Sequence, residues 1–156
     1  IAVNGVCLTA REVSKDKFMV SAANETLKLT NLSNLKLDDL VNLESSLTAS
    51  TPMGGHVVQG HVATTSRIIE KREIGESIYF RFFKPSELEN YIVKKGYIAI
   101  DGMSLTICDE GQDWFEVMLI PHTLSITIAQ NYKINNEVNL EVDVFARYLE
   151  KIYGNR

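Results

Sequence analysis

The sequence predicts an all-β protein made of two tandem, duplicated antiparallel β-barrels followed by a C-terminal α-helix. Three observations carry that prediction. The stretch from Ile1, IAVNGVCLT, returns 97 positions later from Ile98 as IAIDGMSLT, and residues 1–44 laid on 98–141 without a gap match at 17 of 44 positions. A period near a hundred residues is too long for a solenoid unit and suits a duplicated small domain. Both copies are rich in short strands bounded by turn residues, which is the pattern of an antiparallel barrel. The tail instead places its apolar residues at helical spacing.

Each copy opens on a hairpin, with Asn4-Gly5 or Asp101-Gly102 as the two-residue turn between apolar strands. Such dipeptides supply the positive φ angles that tight hairpin turns need. Residues 18–21 and 114–119 follow polar turns at 14–17 and 110–113, and their aromatic and β-branched content favours strands. Residues 35–37 then turn through Asp38-Asp39 into a strand at 40–43, and 132–134 turn through Asn135-Asn136 into 138–142. Between the copies, PSELENYIV from Pro85 fits a short helix, with Ser86 at the N-cap and Glu89 three residues on. At the end, Val144, Tyr148, Leu149 and Ile152 share one face of a helix over 143–153, which needs its own barrel or an oligomer to cover it.

The repeat also sets the domain boundaries. Roughly forty residues, about 54–97, precede the shared block in the second copy, whereas the first copy begins directly on it at Ile1. The expectation is a first barrel over 1–51 with its opening strand or strands absent, a second barrel over 52–143, and a helix over 144–156. A barrel lacking an edge strand exposes unpaired backbone.

Composition excludes several functions. The chain is 45% hydrophobic and 23% charged with a net charge of −4 and no basic run. This is a poor footprint for nucleic acid or anionic membrane. No apolar stretch approaches a membrane span. Cys7 and Cys108 do not make a disulfide scaffold, and a reducing cytoplasm is the expected setting.

The strings IAVNGVCLT, NETLKLTNL, VNLE, GGHVVQGHV, KKGYIAIDGMSLT, IPHTL and VNLEVD, in this order, resemble the riboflavin synthase family. The similarity runs from Ile1 to about Lys151. In that family an MFTGI-like N-terminal signature is the counterpart of residues 55–62. The resemblance implies two six-stranded Greek-key barrels, a C-terminal helix that assembles a homotrimer, and lumazine synthase as a candidate partner. It implies the dismutation of two molecules of 6,7-dimethyl-8-ribityllumazine, one giving a four-carbon unit to the other, to yield riboflavin and 5-amino-6-ribitylamino-pyrimidinedione. One substrate sits on each kind of barrel, and the productive pair forms between the first barrel of one subunit and the second of its neighbour. No cofactor and no metal are implied.

The resemblance places ligand contacts on Cys7, Leu8 and Thr9, on Ser21, Ala22, Ala23, Asn24, Glu25 and Thr26, on Gly60, His61 and Val62, and on Lys95. It adds Ser104, Leu105 and Thr106, then Ile120, Pro121, His122, Thr123, Leu124 and Ser125. Hydroxyls at Thr9, Ser104 and Thr106 suit ribityl oxygens or ring carbonyls. The chemistry needs a proton taken from the methyl at C7 of one lumazine and a nucleophile added at C7 of the other. His61 is the proton carrier that the motif places best. Ser104 and Cys7 are nucleophile or water-orienting candidates, with Thr106 beside them, and Asp143 could orient or activate a hydroxyl.

Plainer readings stand beside these. His56, His61 and His122 lack the Cys or carboxylate cluster that a metal site would need. Cys7 is either reactive or a small side chain filling the barrel where the other copy has Ser104. Gly5 and Gly102 serve hairpin turns, since no helix-opening glycine loop surrounds them. Glu25 faces His122 in the repeat, so the two seats cannot bind one ligand identically. A non-catalytic lumazine- or flavin-binding relative is the alternative function, and a purely structural barrel is a third.

Overall fold

The computed structural model describes residues 1–154; Asn155 and Arg156, the end of the expected helical segment 144–156, lie outside the described residues. The first copy contributes β1 (Ala2–Val3), β2 (Val6–Cys7), β3 (Ala10–Val13), β4 (Phe18–Val20), a short helix α1 (Asn24–Leu29), a 3-10 turn (Asn31–Asn34) and β5 (Leu43–Glu44). The second contributes β6 (Thr64–Ile74), β7 (Ser77–Phe83), a 3-10 turn (Ser86–Tyr91), β8 (Tyr97–Ile100), β9 (Met103–Glu110) and β10 (Trp114–Leu119). There follow α2 (Pro121–Ile126), a 3-10 turn (Ile128–Asn131), β11 (Glu137–Val142) and α3 (Val144–Tyr153).

Six strands of the second copy close into a barrel in the order β10-β7-β6-β11-β8-β9. Alternation along these strands sends Ile68, Phe80, Phe82, Ile98, Ile100, Ile107, Phe115, Val117, Val138 and Leu140 inward, where each is at most 1% exposed. Phe82 stacks on Phe115 and Phe80 meets Tyr132 edge-on, at centroid separations of 5.3 and 5.7 Å. Leu88 and Ile92 join this core from the connection between β7 and β8.

The first copy repeats this pairing wherever both copies have strands. Ala2 lies opposite Cys7 and Glu44, as Ala99 lies opposite Ser104 and Glu141. Phe18 lies opposite Val13, as Phe115 lies opposite Glu110. The repeat extends to the helical turns, where Thr30 donates its hydroxyl to the Thr26 carbonyl at 2.6 Å and Thr127 to that of Thr123 at 2.7 Å. Among the described residues the first copy forms one three-stranded and one two-stranded sheet over a small core of Val3, Val6 and Leu8. Strands equivalent to β6 and β7, which close the second copy, are not among its elements.

The copies meet through bonds that each makes to the other. Asn42 donates its backbone N–H to Asn4 Oδ1 and its amide to the Asp101 carbonyl, at 2.8 and 2.9 Å. Asn139, 97 positions on, donates its backbone N–H to Asp101 Oδ1 and its amide to the Asn4 carbonyl, both at 2.8 Å. The Asn42 side-chain oxygen receives the Ile128 N–H, and that of Asn139 receives the Asn31 N–H, at 2.9 and 2.7 Å. Gly5 and Gly102, at φ +72° and +85°, touch at the centre, where a Cβ on Gly5 would lie 2.4 Å from the Gly102 nitrogen. Two constraints therefore demand glycine there: the left-handed backbone and the close approach.

Several local expectations are corrected. Ser86 is not an N-cap; Pro85 holds that position without a side-chain bond, and the segment winds as a 3-10 turn. Residues 24–29 and 121–126 are short helices. Residues 35–37 and 132–134 are irregular, ending in turns with Asp38 and Asn135 at φ near +70°. The strand expected at 40–43 is confined to Leu43–Glu44. The tail helix forms as expected, with Asp143 as its N-cap accepting the Phe145 N–H at 2.9 Å.

Candidate active site

The hairpin turns bring β2 and β9 from the two copies to one cleft of about 240 Å³. Cys7 lines it from the first copy and Ser104, its repeat equivalent, from the second; Gly55, His56 and Gly60 complete it from the segment between copies. The side chain of Ser104 is exposed on β9 because alternation turns it out of the barrel while Met103 points in. Gly55 lets the connecting segment lie on it, since a Cβ there would come within 2.3 Å of Ser104 Oγ.

Ser104 Oγ accepts the His56 backbone N–H at 3.2 Å and bonds His56 Nδ1 at 2.7 Å. With one hydrogen already received, the serine is free to donate its own proton to Nδ1. The ring stacks on Tyr97 at 5.3 Å. Its other nitrogen, Nε2, is buried and has no partner among the described residues. Burial lowers the His56 pKa, while the Asp143 and Glu141 carboxylates pull it back up. The imidazole is therefore neutral at neutral pH and can act as a base. A hydroxyl paired with such a ring is the arrangement that activates oxygen for proton transfer or attack. The histidine paired with Ser104 is thus His56 and not His61, the proton carrier that the family motif suggests. The signal for His56 is the GGH triplet, whose second glycine, Gly55, allows close packing on Ser104.

The expected residues divide into separate groups. Cys7, Gly60 and Ser104 share the cleft. His61 is fixed through its backbone N–H to Glu141 at 3.1 Å. Leu8 is buried in the first core, and Val62 packs beside it. Ser21, Ala22 and Ala23 run from β4 into α1, with Ser21 Oγ accepting from Arg11 at 3.1 Å, and Asn24, Glu25 and Thr26 form the first turn of α1. Ile120, Pro121, His122, Thr123, Leu124 and Ser125 make the equivalent entry to α2. These two strips, Thr9, Lys95, Leu105 and Thr106 do not line the cleft. Lys95 holds φ +71° and donates its N–H to the Ile107 carbonyl, and Thr106 lies opposite Tyr97 at the rim of the barrel. No group of His, Cys, Asp and Glu among the described residues is arranged to hold a metal.

A closed barrel, an open counterpart with the same register and a cleft walled by both define a tandem-repeat β protein of the small-molecule-binding class. The lumazine binding domain family matches residues 1–46 and 59–143. The chain is 47% identical over 154 residues to the riboflavin synthase of Schizosaccharomyces pombe, covering 97% of this chain and 74% of that protein. Against the riboflavin synthase of Actinobacillus pleuropneumoniae it is 42% identical over 151 residues, covering 97% and 70%. It belongs to the riboflavin synthase family of lumazine-binding proteins. Among solved structures, LumP complexed with 6,7-dimethyl-8-(1'-D-ribityl) lumazine superposes with a TM-score of 0.80 at 19% identity, covering 90% of this chain and 76% of that one. LumP complexed with riboflavin gives 0.81 at 23% identity over the same shares. Those two likenesses establish the fold.

Proposed function

We propose that this protein is a riboflavin synthase, converting two 6,7-dimethyl-8-ribityllumazine molecules into riboflavin and a pyrimidinedione. The observation that carries the reading is the His56–Ser104 pair at the joint of a duplicated unit, in a chain up to 47% identical to riboflavin synthases. Each repeat offers one seat: Cys7, Thr9 and residues 21–26 in the first, and Ser104, Thr106 and residues 120–125 in the second. Two flat heterocycles held face to face turn an encounter into a bound pair, which is worth roughly 7–11 kcal/mol of barrier when the geometry is right.

Ligand pockets commonly enclose about 300–1,000 Å³, and the cleft within one chain holds about 240 Å³. Two bicyclic rings with their ribityl chains need more room than that. This favours pairing between the first repeat of one subunit and the second repeat of its neighbour. The finer architecture in this reading is two Greek-key barrels, over 1–51 and 52–143. The helix over 144–156 assembles a homotrimer. A cytoplasmic setting and contact with lumazine synthase belong to the same reading.

His56 is the base that withdraws the Ser104 proton, and its neutral form is favoured by burial. Ser104 then serves C7 or its methyl group. His61, Cys7, Thr106 and Asp143 keep supporting roles in proton transfer and orientation, and Lys95, Gly60, Val62, Leu8 and Leu105 shape the seats. Incubating the purified protein with dimethylribityllumazine should produce riboflavin fluorescence together with an equimolar pyrimidinedione. Tight binding of the lumazine without either product would instead establish the non-catalytic binding function, which the LumP-like fold makes the second reading.

A further inference from the structure

Residues 55–61 belong to no strand or helix, yet they carry His56 onto Ser104 and Gly60 onto Cys7. Their backbone needs partners, and a single side chain supplies most of them. Glu141, 4% exposed on β11, accepts the N–H of Gln59 on Oε1 at 2.8 Å and those of Gly60 and His61 on Oε2 at 2.9 and 3.1 Å. Gly60 in turn accepts the Cys7 N–H at 2.9 Å. Its φ of +76° and the 2.7 Å approach of a Cβ to Cys7 make glycine obligatory.

We propose that Glu141 is a positioning residue: its carboxylate straps residues 55–61 across the two copies and thereby sets His56 against Ser104 and the Gly60 carbonyl against Cys7. Three charge-assisted bonds from successive N–H groups define the path of an otherwise irregular segment. A glutamine could not replace it, because one of its two terminal atoms is a donor that would face those N–H groups. The role in catalysis rests on the riboflavin synthase reading, but the strap itself can be observed without substrate.

The test compares Glu141→Gln and Gly60→Ala with the unaltered protein, by steady-state kinetics and by NMR titration of the His56 ring. Glu141→Gln should lower kcat by about 10²-fold or more, within the range of a misplaced acid–base group, and leave KM within about threefold. Asp143 and Glu141 are the charged groups that face the ring, and both hold its pKa up. Loss of the Glu141 charge alone would move the His56 midpoint lower. Release of the strap exposes the ring and moves the midpoint up towards 6.5, its ordinary value. The proposal requires the upward move, in Gly60→Ala as well, where the carboxylate is untouched and the fold is tested independently. An unmoved or lowered midpoint in both variants, or an unchanged kcat in an active enzyme, overturns it. If the unaltered protein makes no riboflavin, the functional reading fails while the titration still decides the strap.

Discussion

At the scale of single residues, the Ser104–His56 pair is one unit, and its energetics should be those of a unit. Ser104→Ala and His56→Ala should each lower kcat by about 10²–10⁴-fold, and the double variant should be no slower than the worse of the two. Steady-state rates of the three proteins would decide this, and additive losses would mean independent roles. The melting temperature of Ser104→Ala should barely move, since Ser104 is exposed on β9. Cys7 has a different standing. It lies at the same repeat position as Ser104, but the two copies differ in what crosses them: Gly55 and His56 lie over Ser104, whereas Gly60 lies over Cys7. Equivalent positions have therefore acquired different neighbours, which is the asymmetry a donor and an acceptor of the same substrate require.

At the scale of elements, α3 is amphipathic, and its apolar side faces outward in the single chain. Phe145, Tyr148, Leu149 and Ile152 are each more than half exposed, while Asn90 holds the opposite side through Glu150 at 2.8 Å. Removing the chain from Arg147 onward should convert a trimer to monomers on sizing chromatography, and a trimer that persists would refute the assignment. The helix was legible in the sequence because a 3.6-residue period is a local signal. The hairpin turns were legible for the same reason: Asn4-Gly5 and Asp101-Gly102 carry the positive φ angles expected of them. The short helices α1 and α2 were not legible. Each is a turn and a half long, has no side-chain N-cap, and is held by a threonine one residue past its end rather than by periodicity. His56 was hidden for another reason. Its partners, Ser104 and Tyr97, are 48 and 41 residues away in sequence, and only the path of an irregular segment brings them together.

At the scale of the whole molecule, the joint between copies is a buried polar network, and its one acid makes it pH-sensitive. Asp101 stands where the first copy has Asn4, and Tyr132 stands where it has Leu35. Asp101 accepts bonds from Asn31 at 3.0 Å, from the Asn139 N–H at 2.8 Å and from the Tyr132 hydroxyl at 2.5 Å. These bonds favour the carboxylate, but burial outweighs them and raises its pKa from 3.8 to about 6. A carboxyl whose pKa is raised in the folded state stabilises the fold below the unfolded value of 3.8, and that contribution is lost as pH climbs through about 6. The loss amounts to about 3 kcal/mol if the whole shift is expressed. Asp101→Asn retains an oxygen for the Asn139 N–H, as Asn4 already does for Asn42, and removes the titration. Denaturant midpoints of the variant should be flatter between pH 4 and 6 than those of the unaltered protein, and parallel curves would place the dependence elsewhere.

The reciprocal bonds around Gly5 and Gly102 have the form of an isologous interface, the kind two identical subunits make about a dyad. In a homodimer every substitution appears on both sides at once, so an acid at this axis would face a second acid. Covalent fusion removes that restriction: Asp101 sits across from a neutral Asn4, and the serine–histidine pair needs to exist only once. The duplicated chain keeps the association that symmetry made favourable, now independent of concentration, while leaving each half free to specialise.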